Sequence, residues 1–148
     1  MAKLAARAPH MPWISPYLIV KNAATAIAFY EKAFNFTRHE VVNDDKGEIM
    51  HAELAYQDGV IMIGPEGCPG NPLKSPASSG QGCPLSLYVY CEDVDLLCNQ
   101  AKKCNANVLA PPEDMFWGDR ICRIQDPEGY IWCFATHTGE HKPSPFKK

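Results

Sequence analysis
What this 148-residue chain lacks already narrows its function. No apolar run approaches the roughly 20 residues of a membrane-spanning helix, so no membrane partner is expected. The opening Met1-Ala2-Lys3-Leu4-Ala5-Ala6-Arg7-Ala8-Pro9-His10 is too short and too weakly apolar for a secretory signal and reads as a loose tail. Cationic surplus is missing too: 14 Lys and Arg against 17 Asp and Glu give a formal charge of −3, which leaves little to neutralise phosphates and disfavours a nucleic-acid partner. The seven cysteines contain no CxxC pair, so structural zinc is not expected. Their odd number, and their apolar positions on expected helices and strands, suit buried reduced thiols and a cytoplasmic location better than a disulfide framework. A Gly-rich phosphate loop and a nucleophile elbow are likewise missing, so nothing points to nucleotide binding or Ser-His-Asp chemistry.

What is present is a repeat. Pro16-Tyr17-Leu18-Ile19-Val20-Lys21-Asn22 is followed by a helical pattern and then by Asp58-Gly59-Val60-Ile61-Met62-Ile63. Leu87-Tyr88-Val89-Tyr90-Cys91-Glu92-Asp93 is followed by the same pattern and by Glu128-Gly129-Tyr130-Ile131-Trp132-Cys133. Val20 and Cys91 lie 71 apart, and Gly59 and Gly129 lie 70 apart.

The length fits one domain, and the 46% hydrophobic content is enough to fill its core. Strands are expected at 14–20, 36–42, 48–56 and 60–63, with Asn22 capping a helix that carries Ala23, Ile27, Tyr30 and Phe34 on one side. Residues 64–84 hold much of the proline, glycine and serine and read as a mobile connection. Strands follow at 85–91, 107–110, 120–125 and 130–136, and Asp93 caps a helix with Val94, Leu97, Cys98 and Ala101 on one face. The division is therefore a first βαβββ module at 14–64, a linker at 65–84, a second module at 85–138, and tails at 1–13 and from 139 on, the latter unstructured. The expected fold is α+β, with two βαβββ modules forming a curved mixed sheet, helices on its convex face and a concave cleft left free for a ligand.

Three stretches carry a resemblance to a known family: Pro16 to Val20 with Ala26-Ile27-Ala28-Phe29-Tyr30; Ile49-Met50-His51-Ala52-Glu53-Leu54; and Asp114-Met115-Phe116-Trp117-Gly118-Asp119-Arg120 followed by Asp126-Pro127-Glu128-Gly129. The chain resembles the vicinal oxygen chelate superfamily, the glyoxalase, bleomycin-resistance and extradiol-dioxygenase group, and the last pair of motifs looks like its PhnB-like branch. The resemblance implies paired βαβββ modules, usually in a homodimer, and in the enzymes a divalent metal held by His, Glu and Gln from the first and last strands of each module. Those positions fall on Ser15, Ile63, Ser86 and Cys133. An aliphatic chain, two hydroxyls and one thiol are a poor donor set for a hard cation, so neither the metal nor any other cofactor is expected.

Other residues have claims on a ligand. Alternation puts His51 and Glu53 on the face opposite Ala52 and Leu54, where they supply a general base, two ligands of a relocated metal, or a hydrogen-bonded polar pair. Trp117 and Arg120 can stack on and grip a planar acidic or carbonyl compound; alternatively Trp117 closes the core edge while Arg120 pairs with Asp119 or Asp114. Tyr17 shares the parity of Ser15 and so faces the cleft, and Trp13 closes one end. His10, His39, His137 and His141 sit near loops or tails and have weaker claims. The ligand-contact set is then Ser15, Tyr17, His51, Glu53, Ser86, Trp117, Arg120 and Cys133. Two functions from different classes follow: a metal-free protein that binds a small organic molecule, or a metal-dependent lyase, isomerase or dioxygenase with relocated ligands. A purely structural or regulatory dimer is the third.

Overall fold
The computed structural model describes residues 1–146. The elements run β1 (Tyr17–Val20), α1 (Ala23–Phe34), β2 (Thr37–Asn43), β3 (Ile49–Tyr56), β4 (Gly59–Pro65), α2 (Pro76–Ser79), β5 (Ser86–Tyr90), α3 (Val94–Lys103), β6 (Asn107–Asp114), β7 (Trp117–Gln125) and β8 (Ile131–His141). Both βαβββ modules form, and their strands are hydrogen-bonded as two four-stranded mixed sheets, β1-β4-β3-β2 and β5-β8-β7-β6. In each sheet the first strand runs parallel to the last, and the remaining neighbours are antiparallel. Contacts group Met1–Glu31 with Asn35–Ser75, and Lys32–Phe34 with Pro76 onward.

The two helices start and stop by the same devices. Asn22 Oδ1 accepts from Thr25 N at 3.1 Å, and Asp93 Oδ1 accepts from Leu96 N at 3.0 Å, so each cap satisfies a backbone donor that the first turn leaves over. Just past each helix an asparagine takes up a left-handed conformation, Asn35 and Asn105 both at φ 62°. The caps are 71 apart and these asparagines 70, so the one-residue slip of the repeat lies within the helices. It is undone at the last hairpin. Tyr56 pairs with Gly59 across Gln57 and Asp58, whereas Asp126 N bonds Tyr130 O across Pro127, Glu128 and Gly129.

In the first module Leu18, Val20, Ala52, Leu54, Ile61 and Ile63 are buried, while Tyr17 remains exposed. Tyr30 of α1 meets Phe36 with ring centroids 6.4 Å apart, and Phe36 meets Tyr56 of β3 at 5.5 Å. In the second module α3 buries Val94, Leu97, Cys98 and Ala101 and touches β6, β7 and β8. Its start is tied to β8, because Thr136 Oγ1 accepts from Val94 N and donates to Cys91 O, both at 2.9 Å. Phe34 lies against Trp132 and Phe134, at centroid distances of 5.1 and 4.6 Å.

Several boundaries differ from the sequence reading. The first strand begins at Tyr17, after Pro16, leaving Ser15 in irregular chain. The stretch read as a connection holds a single helical turn, α2. The segment from Gly139, expected to be unstructured, continues β8 to His141, because the early residues of β7 need a partner: Trp117 pairs with His141, and Lys142 N donates to Phe116 O at 2.8 Å. The remainder of that expectation, at 147 and 148, lies outside the described residues. Met11 is buried and Arg7 sits 5.2 Å over the ring of Trp13, so the opening segment is not wholly loose. No helix among the described residues is long and apolar enough to cross a membrane.

The Asp126-Pro127-Glu128-Gly129 motif is a fold element. Asp126 Oδ1 accepts from Glu128 N and Tyr130 N, and its Oδ2 from Trp132 Nε1 at 2.8 Å, so one buried carboxylate shapes the turn and anchors the largest core side chain. Gly129 has φ 89°, and a Cβ there would lie 2.8 Å from Ala77 N and 2.9 Å from Pro76 Cβ. Gly129→Ala therefore combines backbone strain with a clash, and should cost about 2 kcal/mol. A thermal melt should show the midpoint falling by roughly 5 °C; an unchanged midpoint would mean that α2 does not seat on this turn.

Candidate functional site
Strand alternation places a distinct set of side chains on the sheet face away from the buried layer of each module. In the first, Tyr17 pairs with Met62 and Met62 with Glu53, so these three share a face with His51. Tyr17 Oη lies 3.0 Å from His51 Nδ1, and His51 Nε2 lies 3.6 Å from Glu53 Oε1. Burial, with a smaller contribution from Cys68, raises the Tyr17 pKa, so its hydroxyl holds its proton. The Tyr17 ring leaves no room at Gly64, where a Cβ would lie 2.8 Å from its Cε1 and Oη. Three residues read from the sequence as ligand contacts are thus brought together.

The second module uses the same tyrosine position for a different purpose. Tyr88, 71 residues after Tyr17, donates its hydroxyl to Asp119 Oδ2 at 2.6 Å, and Tyr90 donates to the same oxygen at 2.8 Å. His137 Nδ1 lies 2.8 Å from Asp119 Oδ1. Trp117 Nε1 donates to Tyr88 Oη at 3.3 Å, and Trp117 packs with Met115 on buried Ile121, Cys133 and Ala135. Asp119 is only 3% exposed. Burial alone would raise its pKa, but the hydrogen bonds from Tyr88, His137 and Tyr90 prevail and hold the carboxyl below its ordinary value. Burial and the Asp119 bond push the Tyr88 hydroxyl well above the usual phenol range, and the same bond, with burial second, raises Tyr90.

Arg120 is directed elsewhere. Its Nε and Nη2 grip both oxygens of Asp95 on α3 at 2.7 and 3.0 Å, and Nη1 reaches Asp114 at 3.2 Å. Of the two partners expected for it, Asp114 is found, while Asp119 is one residue away in a strand and so on the opposite face. Trp117 and Arg120 therefore do not act on one ligand together. The sequence reading gives His137 only a weak claim, considers Asp119 only as a partner for Arg120, and leaves both of them and Tyr90 outside the ligand-contact set. The signal that finds them is alternation along a longer β8, Cys133-Ala135-His137, matched across the ladder by Arg123-Ile121-Asp119.

The positions implied for the family metal shift in register. Tyr17 opposes Met62 and Tyr88 opposes Cys133, so Met62, not Ile63, is the counterpart of Cys133. Ile63 is fully buried opposite Leu18; the shift arises because the turn before β8 is one residue longer than the turn before β4. The corrected set is Ser15, Met62, Ser86 and Cys133. The Cys133 pKa is raised, chiefly by burial, so the thiol stays protonated. Ser15 Oγ is buried with no hydrogen-bond partner among the described residues, and Ser86 is exposed opposite Ile131. Two hydroxyls, a thioether and a thiol do not fit a hard divalent cation. Among the described residues no cluster of three His, Cys, Asp or Glu side chains is arranged around a common point that could hold a metal.

Two variants test the Asp119 arrangement. Asp119→Ala strips three donors of their acceptor and should lower unfolding free energy by about 2 kcal/mol in urea titration. Because the folded pKa of Tyr88 is raised, its stabilising contribution is full below the unfolded value of about 10 and is lost as pH rises above it. Tyr88→Phe should therefore make the decline of stability between about pH 9.5 and 11 shallower than in the parent; an identical decline would show that Tyr88 is not the group responsible.

Comparison with known proteins agrees with this architecture. A family model described as Glyoxalase/Bleomycin resistance protein/Dioxygenase superfamily matches residues 10–134. An uncharacterized protein of Mycobacterium bovis is 36% identical over 124 residues, covering 82% of this chain and 80% of its own length. The crystal structure of TioX from Micromonospora sp. ML1 superposes with a TM-score of 0.68 at 24% identity, covering 88% of this chain and 99% of TioX. A glyoxalase/bleomycin resistance protein/dioxygenase from Nocardioides superposes at 0.63 with 15% identity, covering 97% and 93%. With both modules folded in the expected topology and the model matching most of its length, this chain belongs to the glyoxalase/bleomycin resistance protein/dioxygenase superfamily.

Proposed function
We propose that the protein binds a small organic molecule on the open sheet faces of its modules without using the divalent metal of the family's enzymes, and that it does so as a cytoplasmic homodimer of the PhnB-like branch. One observation carries this reading: the positions where family enzymes place metal ligands hold Ser15, Met62, Ser86 and a protonated Cys133. In their place the faces carry aromatic rings with polar ends. Tyr17 is backed by His51 and Glu53, and Tyr88 and Tyr90 are backed by Asp119. Such surfaces suit a planar partner, since rings supply contact area at low entropic cost and fixed hydroxyls supply orientation. The branch assignment rests on the Asp114 to Arg120 and Asp126 to Gly129 motifs.

Elemental analysis of protein purified without chelator, coupled to a thermal-shift screen against planar aromatic compounds, tests this. The expected outcome is less than one tightly bound divalent ion per ten chains, together with saturable stabilisation that Trp117→Ala weakens by roughly tenfold. A stoichiometric Ni, Zn, Fe or Mn that is lost on His51→Ala would instead support the metal-dependent lyase, isomerase or dioxygenase.

A further inference from the structure
The face of the second sheet that holds Asp119 ends in a histidine with one nitrogen committed and one free. His137 stands two residues beyond Ala135 on β8 and directly across the ladder from Asp119. Its side chain is 61% exposed although its Nδ1 is 2.8 Å from a carboxylate that is almost wholly buried. An ionised carboxylate only accepts hydrogen bonds, and three groups hold Asp119 in that form, so Nδ1 carries the proton. In the neutral ring Nε2 is then a bare acceptor, and no protein atom among the described residues bonds it. The donors around it are already used: the Tyr88 and Tyr90 hydroxyls point at Asp119, and the Trp117 N–H points at Tyr88. The other titratable neighbour is His141, which with His137 flanks Gly118. Arg120 is turned away to Asp95 and Asp114. This wall presents lone pairs, and beside it lie ring surfaces, with Tyr88 45% and Tyr90 56% exposed.

We propose that His137 Nε2, oriented by Asp119, is the proton acceptor of a binding site for planar compounds with an acidic hydroxyl, phenols and enols, whose ring packs on Tyr88, Tyr90 and Trp117. On binding, the ligand O–H bond breaks and its proton forms the Nε2–H bond. The electron pair stays on the ligand oxygen, giving a phenolate or enolate beside an imidazolium. Asp119 stabilises that imidazolium through Nδ1–H, so no metal, oxidant or second reactant enters. The aim of the site is set by the fold: the Asp119 and His137 pair is cross-strand, and the Tyr88 and Tyr90 hydroxyls fix the carboxylate from a third strand. A carboxylate fixed by three donors has no freedom to swing and accept from the ligand itself, so the free nitrogen is the acceptor that the ligand meets.

This proposal rests on the small-molecule reading above and deepens it. The probe is 4-nitrophenol, titrated into the full chain at a pH below the ionisation of the free compound, with the phenolate absorption band as readout. The parent should show a saturable phenolate band. His137→Gln, with its fold checked by circular dichroism, should abolish it, and Asp119→Asn should weaken it by roughly tenfold. No saturable band, or a band unchanged in His137→Gln, overturns the proposal. Binding of the phenol without ionisation also overturns it while leaving small-molecule binding in place, whereas failure of every planar compound to stabilise the chain sinks the broader reading.

Discussion
The second module depends on one buried carboxylate that is kept charged. Asp119 sits 3% exposed, and burial of an isolated charge would be prohibitive without partners. Its partners come from three strands: Tyr88 and Tyr90 from β5, His137 from β8, and Trp117 through Tyr88 from the start of β7. Each of these contacts requires a particular register. A one-residue slip of β7 against β8 would put Asp119 into the apolar layer under α3 and leave His137 without a partner. The hub therefore specifies the strand pairing as well as organising the face, and the ladder is interrupted right beside it, where Gly118 alone stands against Thr138 to Glu140 and His141 Nδ1 lies 3.0 Å from where a Gly118 Cβ would be.

The two modules show how one fold is put to two chemical uses. The tyrosine at the same position in β1 and β5 is kept, but Tyr17 meets an imidazole and Tyr88 a carboxylate. On the antiparallel neighbour, at an offset of 70, His51 corresponds to the apolar Ile121 and Glu53 to Arg123, as their ladder partners around Met62 and Cys133 show. Polar character that the first module places in the middle of its third strand is moved in the second to the start of β7. Two similar scaffolds thus expose different functional groups, and neither presents the donors of the family metal at the strand positions implied for it.

Much of the scaffold was legible in the sequence because it rests on local signals. Asn22 and Asp93 caps, apolar helical spacing and alternation in Ile49 to Leu54 all lead to the observed elements, and the repeat doubles the weight of each. Tyr17, His51 and Glu53 were recognisable as neighbours because alternation alone decides their face. The Asp119 cluster was not, for two physical reasons. Gly139 is a strand breaker by propensity, yet pairing with β7 carries β8 past it to His141, so His137, which the sequence places just beyond the expected strand 130–136 at the edge of the second module, stands inside a strand. Asp119 and Arg120, adjacent in sequence, looked like partners, but adjacent strand residues point to opposite faces, and Arg120 found Asp95, a residue 25 positions away on α3. One of the four metal positions, Ile63, was displaced by one because the turn before β8, shaped by the buried Asp126, holds three residues where the turn before β4 holds two.

The central claim is that Asp119 remains ionised in a nearly dry setting because three side-chain donors hold it so. Carbon-13 NMR of the Asp119 side-chain carboxyl, followed through acid titration of the native chain, measures this directly. The resonance should stay at the ionised position through the ordinary aspartate range near 4, and move only at lower pH or at unfolding. A midpoint above that range would contradict the account, since burial would then have prevailed over the tyrosine and histidine hydrogen bonds.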